Sequence, residues 1–295
     1  VAVYERSYKG YTGELTPVWS RFLVMPRYAF RRVFSSRIFL AFYLFCGLPW
    51  VVAMFLVYLR HNLQLLEKLN LKIIDLPDIG PTFFAMFLFP APPASFGIFM
   101  FVGFVLVLVV GPPLISSDMI HNGMPLYLAR PIRRREYVLG KMSVLAILLS
   151  AISWVPGLMT FLLQAYMAGD GWLWKNLRIG VAIFVGSWIY IIVFSLLALA
   201  ISASVKRKTA ARVLLFGVIV LLASFGGIVA EWLGLKWGYM LHVYRMIGVV
   251  WADMIGLDSS IRGVSVWAAL FSLLCFCGIS LWILARKVRA YEVVK

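Results

Sequence analysis

The chain has 295 residues, 63% of them hydrophobic and only 14% charged, with a mean hydropathy of +0.93. Soluble domains carry about 25% charged residues, so this composition excludes a water-soluble domain and calls for an integral membrane protein. On a soluble chain the formal net charge of +16 would suggest nucleic acid. Here the basic residues sit in loops beside apolar runs, and topology and anionic lipid account for them, with no nucleic-acid partner expected.

Residues 1–15 form a polar tail, and residues 1–37 contain no short apolar stretch with a small-residue cleavage site, so no cleavable signal peptide is expected. Thr16-Pro17 reads as an N-cap followed by proline at the first helical position. Trp19, Phe22 and Leu23 then share a face opposite Ser20 and Arg21. After Pro26 the pattern resumes, with Tyr28, Phe30, Val33 and Phe34 set against Arg27, Arg31, Arg32 and Arg37. A basic, aromatic, amphipathic helix just before a span is expected to lie in the membrane interface.

Six apolar runs are long enough to cross the ~30 Å hydrocarbon core, which takes about 20 helical residues. They fall near 38–59, 95–115, 142–167, 179–204, 212–233 and 264–285. The fold expected is therefore all-α: a polytopic membrane protein with six transmembrane helices and an interfacial N-terminal helix. The division is a tail with that helix (1–37), a six-span domain (38–285) and a basic tail (286–295).

Lys and Arg alternate strictly in abundance from loop to loop. Segments 1–37, 116–141, 205–212 and 286–295 hold seven, five, four and four, against three, two and three in 60–94, 168–178 and 234–263. Twenty against eight places both termini and 116–141 in the cytoplasm. On the outer side, Leu66, Leu69 and Ile73 recur at helical spacing, and Ser95 is expected to cap the second span. Segment 234–263 is too polar to cross twice and too apolar for a water-exposed loop. It reads as a re-entrant or interfacial hairpin packed against protein.

Catalytic readings find little to stand on. His61, His121 and His242 all lie in loops, and Cys46, Cys275 and Cys277 lack metal-ligand spacing. No Asp, Glu, Lys, Arg or His lies in the middle of a span, which argues against an ion-coupled transporter. The chain has no G-x-x-x-x-G-K-[ST] loop, so no cofactor is expected on it, and energy must arrive through a partner. Neutral polar residues within the spans, Ser153, Thr160, Gln164 and Tyr190 among them, are candidates for a substrate path or for helix–helix contacts. Ala198 with Ser202, and Gly234 with Gly238, are small-residue packing candidates.

The most heavily specified polar segment is 116–141. Ser116, Ser117 and Asp118 read as a helix cap, Gly123 and Pro125 interrupt the helix, and Pro131 ends it. Arg133, Arg134 and Arg135 follow, each worth about 1 kcal/mol on an anionic surface. The series Ile115, Asp118, Gly123, Leu126, Tyr127, Arg130, Pro131, Arg135, Glu136, Tyr137, Gly140 and Lys141 resembles the loop after the second span in permeases of type-2 ATP-binding-cassette (ABC) transporters. Asp118 and Gly123-Met124 stand where that family commonly shows glutamates and a Gly-Thr step. The resemblance implies a coupling helix docked on a nucleotide-binding subunit, through Asp118, Gly123, Tyr127, Arg130, Pro131, Glu136, Tyr137 and Lys141. It further implies an ABC ATPase partner carrying ATP and Mg, a second permease copy or paralogue, an exporter role, and a cell-membrane location. The competing expectation is a membrane anchor in a respiratory or assembly complex.

Overall fold

The structure, a computed structural model, describes residues 24–62, 77–89, 97–121, 134–169, 171–257 and 264–288, apart from the side chains of Val24, Met25 and Arg32. Helices α1 (Val24–Phe34) and α2 (Arg37–His61) are followed by the short α3 (Pro81–Leu88). Next come α4 (Ile98–Val110), α5 (Pro113–Ile120), α6 (Arg134–Ile152), α7 (Trp154–Ala168) and the single turn α8 (Trp172–Lys175). The long α9 (Leu177–Ser204) and α10 (Lys208–Trp232) lead to a 3-10 helix (Lys236–Leu241), then α11 (Val243–Ile255) and α12 (Val266–Lys287). Six helical stretches are long and apolar enough to cross a membrane: Arg37–His61, Ile98–Ile120, Arg134–Ala168, Leu177–Ser204, Lys208–Trp232 and Val266–Lys287.

The bundle is organised around α9. Apolar burial drives little association in lipid, so the central helix must let its neighbours approach closely. Gly180, Ala182, Gly186, Ser187, Ala198, Ser202 and Ala203 do this along α9, all of them buried, and α4 to α7, α10, α11 and α12 pack around it. At Gly186 an added Cβ would stand 2.4 Å from the indole nitrogen of Trp251, which is fully buried on α11.

Local caps fix where two of the spans begin. The Ser36 hydroxyl accepts from the Phe39 amide at 3.4 Å at the start of α2, and the Ser265 hydroxyl accepts from Ala268 at 3.3 Å at the start of α12. The second span starts after Gly97, which lacks a capping side chain, and Ser95 lies outside the described residues. Leu66, Leu69 and Ile73 also lie outside them. Segment 60–94 is more than a surface loop, because α3 carries Phe83, Phe84 and Phe87 into the bundle against α2, α4, α9 and α11.

Within segment 234–263, the described residues 234–257 turn back on α10 as the 3-10 helix followed by α11. Gly238 backs directly onto Gly226 of α10, while Gly234 adopts the left-handed turn conformation (φ 67°) that ends α10. From there α11 wedges between α9 and α12 with Met246, Ile247, Val250 and Trp251 buried. Tyr244 reaches α4, its hydroxyl 3.3 Å from the Met100 carbonyl and its ring edge-on to Phe104 at 5.6 Å. Gly238 is buried in this return, whereas Leu233, Leu235 and Trp237 remain exposed.

His242 caps α11, its Nδ1 accepting from the Arg245 amide at 3.2 Å. Burial, and then the Arg245 charge, hold this imidazole below the usual value of 6.5. The folded state therefore favours the neutral, accepting form. The contribution is full above about pH 6.5 and is lost as pH falls towards the lowered folded value. Protection from hydrogen exchange across 236–247, corrected for the intrinsic pH dependence of amide exchange, is expected to fall on acidification through that window, and His242→Asn, which keeps an acceptor without titrating, should remove the dependence. Equal acid sensitivity in the variant would exclude His242 as its source.

Candidate functional site: a clamp and two joints around segment 116–141

Only the second and third spans are interrupted, and they are the two that 116–141 connects. In the second span, Gly111 and Pro112 separate α4 from α5, which opens on Pro113. Prolines supply no amide donor, so α4 ends with orphan carbonyls and α5 begins with orphan amides. Neighbouring helices satisfy both sets. Arg212 of α10 donates to the Val109 carbonyl at 3.2 Å. Ser202 of α9 accepts from the Ile115 and Ser116 amides, each at 3.0 Å, and donates to the Pro112 carbonyl. Its hydroxyl is an N-cap supplied from another helix. A Cβ on Gly111 would meet that of Ala198 at 2.8 Å, so both members of the Ala198–Ser202 pair pack on this joint.

This geometry corrects one sequence expectation. Ser116, Ser117 and Asp118 do not begin a helix; they lie inside α5. Ser116 and Ser117 donate to the Pro112 and Pro113 carbonyls, the backbone-directed alternative open to serine within a helix. The second span therefore runs on to Ile120, and the third begins at Arg134.

In the third span, α6 ends at Ile152, and Ser153 (φ −115°, ψ −96°) breaks the path before α7. The Ile152 carbonyl accepts from the Trp50 indole of α2 at 2.8 Å, and the Leu148 carbonyl accepts from the Tyr43 hydroxyl at 3.0 Å. Pro156 lies in the first turn of α7, where an amide would have no helical partner.

Beyond the joints, the two spans are clamped to one another. Asp118 at the end of α5 accepts from the Tyr137 hydroxyl at 2.7 Å, and the same carboxylate oxygen lies 2.7 Å from Lys141 Nζ. Tyr137 and Lys141 are four residues apart on α6, hence on one face, and the ammonium sits 5.5 Å from the tyrosine ring centre. The Asp118 and Lys141 side chains are only 16% and 11% exposed, and Tyr137 is fully buried. Glu136 is half-buried in the first turn of α6, where a negative charge suits the helix dipole.

Three of the eight coupling candidates, Asp118, Tyr137 and Lys141, thus meet, and Glu136 adjoins them. Gly123, Tyr127, Arg130 and Pro131 lie outside the described residues. Helix α1 packs against the start of α6. Ala29, Phe30 and Val33 face the core, with Arg27 and Arg31 exposed as expected. Tyr28 departs from the expected face, being 68% exposed, and the helix runs through Pro26, which sits in its first turn. Trp19, Arg21, Phe22 and the Arg32 side chain are outside the described residues.

The four candidate path residues are buried within the single chain. Thr160 donates to the Pro156 carbonyl at 2.8 Å, Gln164 meets His61 at 3.0 Å, and Tyr190 donates to the Met100 carbonyl at 3.0 Å. Ser153 lies at the α6–α7 joint. Sequence reasoning missed Arg212 and Trp50 as joint-holding groups. The signal was present in the Gly-Pro-Pro run and in Pro156, since a broken span requires donors and acceptors from its neighbours.

A six-span bundle whose second and third spans are jointed and clamped about a basic loop agrees with the family suggested by that loop. The sequence profile described as "ABC-2 family transporter protein" matches residues 30–245, which include both joints and the clamp. The chain belongs to the ABC-2 transporter family. It is a multi-pass membrane protein and the membrane subunit of a transport system, a family whose members in general work with an ABC ATPase. No curated protein matches the chain.

Proposed function

We propose that this ABC-2 permease subunit is part of an ATP-driven exporter in the plasma membrane, with both termini and 116–141 in the cytoplasm. Two copies, or one copy and a paralogue, form the translocation path, and ATP and Mg are bound by a separate ATPase that docks on 116–141. The observation that carries this reading is the coincidence of the joints with the spans flanking that loop. Force applied to 116–141 reaches α5 and α6 together, because Asp118 ties them through Tyr137 and Lys141. The joints at 111–113 and at 153 then let these ends swing while α4 and α7 keep their packing. Helix α1, resting on α6 with Arg27 and Arg31 outward, rides on the same unit.

The test is purification of the full chain in mild detergent, followed by identification of what accompanies it. An ABC ATPase is expected, with recovery falling several-fold when Asp118 and Glu136 are both changed to alanine. Recovery of redox or assembly subunits without an ATPase would overturn the proposal.

A further inference from the structure

A cavity of about 550 Å³ opens sideways from the bundle where α9, α11 and α12 meet, at the end opposite Asp118. That volume lies within the roughly 300–1,000 Å³ typical of small-molecule sites. Its wall is apolar, formed by Val185 and Ile189 of α9, Val250 of α11, and Val266 and Leu270 of α12. One carboxylate, Asp253, stands on its lining and is solvent-exposed. No cation pairs with that carboxylate among the described residues. Next to it is Arg178, also exposed, anchored by hydrogen bonds to the Asp253 and Met254 backbone carbonyls (2.9 Å to the latter). Trp267, 82% exposed at the mouth, is a residue type that settles at the level of lipid headgroups.

We infer that this groove holds one phospholipid bearing a primary ammonium headgroup, the ammonium on Asp253, the phosphate on Arg178, and an acyl chain along the apolar wall. The charges beside the groove select this occupant: Asp253 on its lining and Arg178, hydrogen-bonded to the Asp253 and Met254 carbonyls, set one negative and one positive group next to each other, which complements a zwitterion and repels neither half. A lipid seated there would fill the crevice beside α11 and brace that helix. The site is independent of ATPase coupling and stands whether or not the exporter proposal holds.

The test is native mass spectrometry of the delipidated full chain with palmitoyl-oleoyl phosphatidylethanolamine or phosphatidylglycerol added back. The expected result is one phosphatidylethanolamine retained per chain, with at least a five-fold preference over phosphatidylglycerol. Asp253→Lys should reverse the preference, a gain that an unfolded variant could not show. Leu270→Trp, which fills the groove, should lower retention of both lipids, with the melting midpoint as a check on folding. Equal retention of the two lipids by the unaltered chain, or a preference unchanged in Asp253→Lys, would overturn the headgroup assignment. Full retention in Leu270→Trp would overturn the groove itself.

Discussion

Lys141→Met is expected to be among the most damaging single changes in the chain, lowering stability by about 3 kcal/mol. Breaking a buried ion pair by removing one partner costs about 3–5 kcal/mol, because the remaining charge stays buried. Asp118 is 16% exposed and keeps the Tyr137 hydroxyl, which places the effect at the lower end. The double variant Asp118→Asn/Lys141→Met removes both charges while leaving an oxygen for Tyr137. It should recover more than half of the loss in a thermal or denaturant unfolding series. Losses that simply add would mean that Asp118 and Lys141 do not act as a pair. The double variant also separates stability from transmission, since it restores a folded chain without the ionic tie between α5 and α6.

Ser202→Ala should rank beside it. The Ile115 and Ser116 amides share the Ser202 oxygen in a fully buried position, and without it both are left unmatched. Each buried donor without a partner costs about 1–3 kcal/mol. Pro112 is less affected, because Ser116 still donates to its carbonyl. Ser195 provides the control. It lies two turns away on the same helix, equally buried, and its hydroxyl has no hydrogen-bond partner. Ser195→Ala removes nothing that is satisfied, so it should be neutral or slightly stabilising. Comparable melting shifts for the two alanine variants would refute the trans cap.

The sequence announced the six spans because an apolar run of about 20 residues is the direct signature of a crossing. Their number and class hold, and most ends agree within a few residues. The exceptions fall at 116–141, where helix continues into polar sequence from both sides. Ser116 and Ser117 had two local options, capping a new helix or bonding back four residues, and the choice depends on Ser202, 86 residues away. The same distance effect concealed the clamp. Asp118, Tyr137 and Lys141 were each legible as special, but their meeting at one carboxylate oxygen is a property of the folded pair of spans. The composition of 234–263 marked it as neither a span nor an exposed loop, whereas Trp251 seated against Gly186 was not legible, since nothing near either residue names the other. The polar span residues were visible as candidates, and the interhelical bonds of Gln164 to His61 and of Tyr190 to the Met100 carbonyl could not be assigned from sequence position alone.

The most direct measurement of the central claim compares ATP-driven motion with and without the clamp. A cysteine placed on the 3-10 helix after α10, at Trp237, would be labelled with a membrane-impermeant thiol reagent in the assembled complex, before and after ATP and vanadate. In an otherwise unaltered chain, nucleotide should change the labelling rate several-fold. With Asp118→Asn/Lys141→Met that change, normalised to the amount of ATPase bound, should largely disappear. An undiminished nucleotide response in the unclamped, folded chain would contradict the account, because force from 116–141 would then reach the bundle by another route.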